Sequence, residues 1–255
     1  MVDDFRNEMT AIEGLSDVLV FDEAEQVARA AADRFVKLAQ AAAEAQGRFS
    51  VALAGGSTPK SVYELLTTVG YRDRVEWSKV HLFFGDERCV PPEHAESNYR
   101  MAFETMISHL PIPTQNVRRM VGEGVAETNA RLYEDALRSF FKGASWPRFD
   151  LILLGMGDDG HTASLFPGTR ALAERRAWVA ANWVEKLQAY RVTLTAPAIN
   201  HAAHIIFIVT GANKAERVAE VLRGARDVER LPSQLIRPVD GTLEWLLDRA
   251  AAARL

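Results

Sequence analysis

Residues 151–154 read Leu151-Ile152-Leu153-Leu154, an apolar run without polar alternation that leads into the glycine-rich segment Gly155–Gly160. A second run of this kind, Ile205-Ile206-Phe207-Ile208-Val209, lies further along the chain. Strands without alternation are typical of parallel sheets, because helices cover both faces of such a sheet. The two runs therefore predict buried parallel strands.

Helix-period segments separate these runs from further apolar, β-rich runs. The predicted strands are Asp17–Phe21, Phe49–Ala54, Lys79–Phe84, Phe149–Gly155, Trp178–Trp183, Arg191–Thr195 and Ile205–Thr210. One predicted helix places Val27, Ala31, Phe35, Leu38, Ala39 and Ala42 on one face, and another does so with Ala130, Tyr133, Leu137, Phe140 and Phe141. The alternation predicts a doubly wound, mostly parallel α/β sheet of modified Rossmann type, with helices on both faces. The Ala-rich tail Arg249–Leu255 is interpreted as a frayed helix end.

The composition is that of a globular protein, and it predicts a single domain over residues 1–255. A net charge of −4 gives no compositional support for binding nucleic acid. No segment has the roughly 18 consecutive apolar residues of a membrane span, so we expect no membrane partner. Cys89 is the only cysteine, which fits a reducing compartment. The acidic start Met1–Phe5 does not resemble a secretion signal, and we expect a cytoplasmic location.

Ligands of doubly wound sheets bind beyond the carboxyl ends of the strands, so the residues that follow each run are the informative ones. The predicted strand Phe49–Ala54 leads into Gly55-Gly56-Ser57-Thr58-Pro59-Lys60. Glycines, free amides and hydroxyls at a helix start favour a phosphate. The segment is not a Walker loop, and a plain helix cap with a tight turn is the alternative interpretation.

Charged residues follow the predicted strand Lys79–Phe84 in Gly85-Asp86-Glu87-Arg88, and Glu96-Ser97-Asn98-Tyr99 comes shortly after. Arg88 is suited to a carboxylate, a phosphate or an oxyanion, because its planar guanidinium offers several donors. Asp86 could orient a neighbouring group. A surface ion pair with little effect on stability is the alternative.

A histidine follows the predicted strand Phe149–Gly155, at the end of the glycine-rich segment Gly157-Asp158-Asp159-Gly160-His161. His161 could accept and return a proton near neutral pH, and Asp159 is near enough in sequence to fix its tautomer. The spacing Gly155-x-Gly157-x-x-Gly160 also matches a dinucleotide-binding loop, but no acidic residue about 20 positions later ends a strand. The segment therefore predicts a catalytic histidine, with a dinucleotide loop as the alternative.

Two cations complete the candidate site. Arg191 lies at the start of a predicted strand, and Lys214 lies at a predicted helix start, where the helix dipole disfavours a positive charge. An anionic ligand would explain that position, whereas an exposed lysine near a cap is the alternative. The other histidines have no spacing with Cys89 that suggests a zinc site.

Taken together, these segments resemble the 6-phosphogluconolactonase family. The resemblance is carried by Ala54–Pro59, Phe84–Arg88, Ser97–Tyr99, Leu154–Pro167, Arg191–Thr193 and Thr210–Lys214, and it covers nearly the whole chain. It implies a hydrolase of the oxidative pentose phosphate pathway that acts on 6-phospho-D-glucono-1,5-lactone without a cofactor or a metal. The sister glucosamine-6-phosphate deaminases have an Asn-Glu-Pro ending where this chain has Leu165-Phe166-Pro167. That difference favours the lactonase.

For such a hydrolysis we expect His161 to act as a general base that Asp159 or Asp86 orients, and Arg88 to stabilise the oxyanion. The phosphorylated lactone is the only small-molecule partner that we predict, and we expect the protein to be a monomer or a small homo-oligomer. The residues expected to hold the lactone are Gly55, Gly56, Ser57, Thr58, Gly160, Arg191 and Lys214. A sugar-phosphate sensor of a transcription regulator is a third interpretation, but the chain before Phe21 is too short for a helix-turn-helix.

Overall fold

Strands and helices alternate along residues 10–12 and 14–255, which are the part of the chain that a computed structural model describes. The predicted lack of a signal at Met1–Phe5 lies outside those residues. The strands are β1 (Thr10–Ile12), β2 (Leu15–Phe21), β3 (Phe49–Leu53), β4 (Val80–Phe84), β5 (Asp86–Arg88), β6 (Leu151–Leu154), β7 (Val179–Val184), β8 (Ala189–Leu194), β9 (His204–Val209) and β10 (Thr242–Asp248). The α-helices are α1 (Ala24–Gln46), α2 (Ser57–Leu66), α3 (Val69–Arg72), α4 (Asn98–Thr105), α5 (Ala126–Phe140), α6 (Ala196–Asn200) and α7 (Ala215–Arg223).

The larger sheet has the strand order β1-β2-β10-β9-β6-β3-β4 within the described residues. All of its pairs are parallel except the pair between β1 and β2 at one edge. The two apolar runs without alternation form the neighbouring strands β6 and β9, and every residue of β6 is buried. The predicted mostly parallel α/β sheet with helices around it is confirmed.

Helix α1 covers part of the sheet because its apolar residues repeat every three or four positions. Val27, Ala31, Phe35 and Ala39 are almost fully buried, and α1 packs on β3 and β10. The helix begins with a hydrogen bond from the Glu23 amide to the Gln26 side chain at 3.0 Å. The predicted apolar face is therefore the face that meets the core.

Strands β5, β8 and β7 form a separate antiparallel sheet. The runs Trp178–Trp183 and Arg191–Thr195 therefore do not join the parallel sheet, as the sequence had suggested they would. The reason is their short connection, a single turn over Glu185–Leu187, because a parallel crossover needs a dozen or more residues. In the small sheet Arg191 lies directly opposite Arg88 on one neighbour and Asn182 on the other.

The strand β10 was not predicted, and it lies between β2 and β9. The interpretation of Arg249–Leu255 as a frayed helix end is wrong. The segment forms turns instead, in which the Asp248 carboxylate accepts a hydrogen bond from the Ala251 amide at 2.7 Å and Ala251 is fully buried. Within the described residues, no helix has both the length and the apolar character that crossing a bilayer requires.

Four parallel strands, β9, β6, β3 and β4, lie side by side in that order. Their carboxyl ends meet at one edge of the sheet because the strands run in the same direction. Each of these strands is followed by one of the segments singled out in the sequence. The fold therefore gathers residues that are up to 160 positions apart in the chain at one edge.

Candidate active site at the carboxyl ends of four strands

A cavity of about 400 Å³ opens at this edge of the sheet. Its volume is in the range of small-molecule sites. Of the residues predicted from sequence, those that line it are Gly55, Gly56, Ser57, Thr58, Asp86, Arg88, His161 and Lys214. The segments after all four strands therefore contribute to one site.

His161 lines this cavity and is hydrogen-bonded to Asp159, which is not among the lining residues. The distance from Asp159 Oδ1 to His161 Nδ1 is 2.5 Å, and Oδ1 also accepts the His161 amide at 3.2 Å. A carboxylate at Nδ1 places the proton of the neutral ring on that nitrogen and leaves Nε2 free to accept a proton. The arrangement is that of an oriented general base.

The Asp159 carboxylate is ionised in this environment. Burial alone would raise its pKa, but the hydrogen bonds and charge of His161 and the Lys186 ammonium, 3.2 Å from Oδ2, outweigh burial. Together they hold the pKa of Asp159 well below its ordinary value. The side chain is only 22% exposed, so the negative charge beside the imidazole is poorly screened.

The loop from Gly155 to His161 folds tightly, because the Gly157 amide donates to the His161 carbonyl at 2.8 Å. A Cβ at Gly157 would lie 2.1 Å from His161 Nδ1, so only glycine permits the ring to take this place. No helix starts directly after this loop, whereas a dinucleotide-binding loop opens a helix whose amino end holds the pyrophosphate. The dinucleotide alternative therefore has no structural support.

The Phe166 ring stacks on the His161 imidazole, with centroids 4.0 Å apart and planes at 22°. Phe166 is 8% exposed. The residue at which the sequence departs from the deaminase pattern therefore touches the histidine directly. A carboxylate there would give His161 a second acidic neighbour, and the ring gives it an apolar one.

We call the first turn of α2, with Gly56, Ser57 and Thr58, together with Lys214, the anion cradle. Gly56 precedes α2 and supplies no side-chain cap, so the first amides of the helix have no acceptor within it. The Thr58 and Thr210 hydroxyls lie 2.8 Å apart, which ties the cradle to the end of β9. Lys214 immediately precedes α7, and it lines the same cavity as this helix start.

Asp86 is not hydrogen-bonded to His161; it belongs to a second polar cluster in the cavity. Its carboxylate accepts hydrogen bonds from the Ser164 hydroxyl at 2.6 Å and from Asn98 Nδ2 at 3.1 Å. The sequence left Asp86 and Asp159 as alternative partners of the histidine, and the geometry selects Asp159. Asp86 is instead held in the cavity wall by groups from α4 and from the loop after His161.

Glu87 is 2% exposed, so the alternative of a surface ion pair does not describe the charged segment. Its carboxylate accepts hydrogen bonds from the amides of Arg88, Asn98 and Tyr99 and from the Ser97 hydroxyl. Burial raises the pKa of Glu87, although these amides oppose the shift. The contacts fasten the start of α4 beneath the cavity.

Sequence reasoning singled out neither Asn98 nor Ser164 nor Thr210 as a site residue. Asn98 and Thr210 line the cavity, and Ser164 bonds to Asp86. Each lies in a segment that carried the family resemblance, but their spacing gave no sign of a polar partner. Only the folded arrangement brings α4 and the loop after His161 to the same carboxylate.

A family model described as glucosamine-6-phosphate isomerases/6-phosphogluconolactonase matches residues 22–245. The chain belongs to this family. A protein of Nostoc sp. (strain PCC 7120 / SAG 25.82 / UTEX 2576) named 6-phosphogluconolactonase is 43% identical over 213 residues, which are 82% of this chain and 86% of that protein. The resemblance predicted from the motifs is confirmed.

Solved structures agree with this membership. A 6-phosphogluconolactonase from Trypanosoma cruzi matches with a TM-score of 0.82 and 30% identity, over 94% of this chain and 96% of that one. A monomeric glucosamine-6-phosphate deaminase matches with a TM-score of 0.81 at 19% identity, over 94% of this chain and all of that chain. The second likeness shows the fold alone, so the fold does not separate the two activities of the family.

Gly160 and Arg191 were predicted to bind the substrate, but neither is among the residues that line the cavity. The Gly160 carbonyl faces the core and accepts hydrogen bonds from the Ser233 amide and hydroxyl at 2.9 and 2.8 Å. Arg191 lies beside Arg88 at the rim, and burial and that neighbouring charge lower the pKa of Arg191. Their roles in binding stay predictions.

A larger cleft of about 870 Å³ lies beside the loop that follows β6, and Asp159 and Phe166 of that loop line it. Its walls include Trp183 and Tyr190, whose rings meet edge to face at 5.1 Å. It lacks His161 and the anion cradle, so size alone does not make it the reaction site. Among residues 10–12 and 14–255, no three His, Cys, Asp or Glu side chains are grouped to hold a metal ion.

A substitution at Gly55 tests the close packing of this residue against Asn98 in the cavity wall. A Cβ there would lie 1.9 Å from Asn98 Oδ1, and Asn98 cannot retreat without losing its bonds to Asp86. We expect Gly55→Ala to lower the free energy of unfolding by about 1–3 kcal/mol, as overpacking does. Urea denaturation measures the change.

Gly70 in α3 provides the matched control, because a Cβ there meets nothing within 4 Å. Gly70→Ala is expected to leave the stability unchanged or to raise it by up to about 1 kcal/mol. Equal stability of the Gly55→Ala variant and the native protein would contradict the close contact with Asn98.

Proposed function

We propose that this protein hydrolyses 6-phospho-D-glucono-1,5-lactone to 6-phospho-D-gluconate. The observation that carries the proposal is that His161, whose Nδ1 lies 2.5 Å from the Asp159 carboxylate, lines the same cavity as the anion cradle. The Asp159–His161 pair is suited to activating water, and the anion cradle is suited to binding a phosphate. Relatives named 6-phosphogluconolactonase, at up to 43% identity among those compared, support the same substrate.

His161 acts as the general base in this proposal. Its Nε2 takes a proton from a water molecule as the water oxygen attacks C1 of the lactone, and a tetrahedral oxyanion forms. When the intermediate collapses, the bond from C1 to the ring oxygen breaks, and the imidazolium returns the proton to that oxygen. Proton transfer of this kind typically contributes about 10²–10⁴-fold to the rate.

Asp159 stabilises the imidazolium that forms during the attack. Its carboxylate stays ionised, and its bond to Nδ1 fixes the ring so that Nε2 is the reacting nitrogen. The apolar face of Phe166 keeps the ring in place from the side. The proton therefore moves only between water, Nε2 and the departing oxygen.

Arg88 is our candidate for stabilising the oxyanion or the sugar hydroxyls. It lines the cavity, and its guanidinium donates to the Glu96 carbonyl, which holds the side chain at the rim. Loss of one donor to an oxyanion often costs about 3 kcal/mol in the barrier. Arg191, directly opposite on β8, adds a second positive charge at this rim.

The anion cradle holds the 6-phosphate. The free amides of α2, the hydroxyls of Ser57 and Thr58 and the Lys214 ammonium are all suited to a dianion. The phosphate is remote from C1, so its binding energy serves to place the lactone for attack. The oxidative pentose phosphate pathway and the cytoplasm remain predictions that follow from this substrate and from the sequence.

The deaminase is the competing activity, since a solved deaminase shares the fold. Phe166 opposes it, because the aromatic ring stacked on His161 stands where the deaminase pattern has a carboxylate. Release of ammonia from glucosamine 6-phosphate would favour the deaminase. Acid release from the lactone above its spontaneous rate would favour our proposal.

His161→Ala is expected to lower kcat for the phosphorylated lactone by at least about 10²-fold, because the general base is lost. Acid release in a weakly buffered solution, corrected for spontaneous hydrolysis, measures the rate. His204→Ala is the control, since His204 bonds to Thr242 and does not line the cavity. A His161→Ala variant with near-native turnover would remove this residue from its role.

Asp159→Asn removes the charge beside the imidazole but keeps a side chain of similar shape. We expect kcat for the phosphorylated lactone to fall by at least about 10-fold with KM nearly unchanged, because the amide cannot stabilise the imidazolium that forms during the attack. Steady-state kinetics at saturating lactone measure the change. A variant with native kcat would show that this carboxylate does not assist His161.

Lys214→Ala is expected to raise KM for the phosphorylated lactone about 10-fold or more, because a charged contact is lost, and to spare the non-phosphorylated gluconolactone. Steady-state kinetics with the two lactones give the comparison. Lys79→Ala is the control: Lys79 pairs with Glu76 at 2.8 Å and precedes β4, at the opposite edge of the sheet. Equal weakening for both lactones would contradict the phosphate assignment.

A further inference from the structure

Two buried tyrosines make the same hydrogen bonds to the backbone at the carboxyl ends of the neighbouring strands β3 and β4. Tyr63 of α2 accepts a hydrogen bond from the Ala54 amide at 3.0 Å, and its hydroxyl donates to the Ala54 carbonyl at 2.8 Å. Tyr133 of α5 accepts from the Phe84 amide at 2.8 Å and donates to the Phe84 carbonyl at 3.2 Å. One hydroxyl can serve both backbone groups, because it is both a donor and an acceptor.

These backbone groups need the tyrosines because the sheet no longer pairs them. The pairing of β3 with β6 covers only Val51 and Ala52, so Ala54 lies beyond it. Phe84 ends β4, which forms one edge of the larger sheet. A buried amide or carbonyl without a hydrogen-bond partner is strongly disfavoured, and each phenol hydroxyl supplies a partner to one amide and one carbonyl.

Each tyrosine acts directly before a segment of the site. Ala54 leads into Gly55 and the anion cradle, and Phe84 leads through Gly85 to Asp86 and Arg88. Both side chains are almost completely buried, Tyr63 at 0% exposure and Tyr133 at 4%. A rigid anchor at the last residue of a strand, or at the residue directly after it, fixes the direction in which the next residues leave the sheet.

We propose that Tyr63 and Tyr133 are positioning residues, the first for the anion cradle and the second for the wall formed by Asp86 and Arg88. This inference rests on the function proposed above. It assigns the two hydroxyls different kinetic effects, although the hydrogen bonds they make are alike. Burial raises the pKa of both phenols far above its ordinary value, so each keeps its proton wherever the protein is folded.

Tyr63→Phe and Tyr133→Phe keep the rings and remove only the hydroxyls. For Tyr63→Phe we expect KM for the phosphorylated lactone to rise about 10-fold with kcat nearly unchanged, and no change with non-phosphorylated gluconolactone. For Tyr133→Phe we expect kcat to fall about 10-fold for both lactones with KM nearly unchanged. Tyr71→Phe, whose hydroxyl lies near Asp33 and away from the strand ends, is the control and should match the native protein.

Amide hydrogen exchange gives a second measurement that does not depend on turnover. The Ala54 amide should exchange faster in Tyr63→Phe alone, and the Phe84 amide in Tyr133→Phe alone. These two rates read the anchoring of the strand ends even if the native protein fails to hydrolyse the lactone, a result that would overturn the proposed function instead. Lower melting temperatures with native kinetics in both variants would show a purely structural role and overturn the inference, as would the same kinetic change in both.

Discussion

The short contact between the Asp159 carboxylate and the His161 imidazole is the constraint around which the site is arranged. It lies in a tight turn from Gly157 to His161 in the loop after β6, and only a glycine at position 157 leaves room for the ring. Phe166 then covers one face of the imidazole, and His161 lines the cavity. The charge on Asp159 is maintained against the effect of burial by His161 and Lys186, and partial burial makes this charge more effective beside the ring.

In the proposed reaction, the cavity has one end at which the lactone reacts and another end that holds the phosphate. The reacting end comes from the loop after β6 and the holding end from the first turns of α2 and α7, so the two are carried by different strands of one rigid sheet. A substrate with an ester carbon at one end and a phosphate at the other would use both. Preorganisation of this kind places the cost of ordering in folding rather than in each catalytic cycle.

The sequence predicted the parts of the molecule in which one physical signal dominates. Continuous apolar runs marked β6 and β9, and the glycine-rich or charged residues behind four runs marked the edge at which the site lies. The same reasoning missed β10, because Thr242–Asp248 mixes polar and apolar residues and lacks the continuous apolar run that marked β6 and β9. It could not choose between Asp86 and Asp159, since that choice depends on a contact between Asp86 and Ser164, which lie 78 positions apart. The roles of Gly160 and Arg191 in binding depend on the bound substrate and stay predictions.

The place of β10 in the sheet has a consequence for how the protein is made. This strand lies between β2 and β9, yet it follows all the others in the chain. Until the ribosome has released Thr242–Asp248, β2 has no parallel neighbour and β9 exposes one apolar edge. Unpaired strand edges of this kind are prone to join other chains. A nascent chain halted shortly before this segment would therefore depend on chaperones to remain dispersed, although every residue of the Asp159–His161 pair and of the anion cradle had already been synthesised.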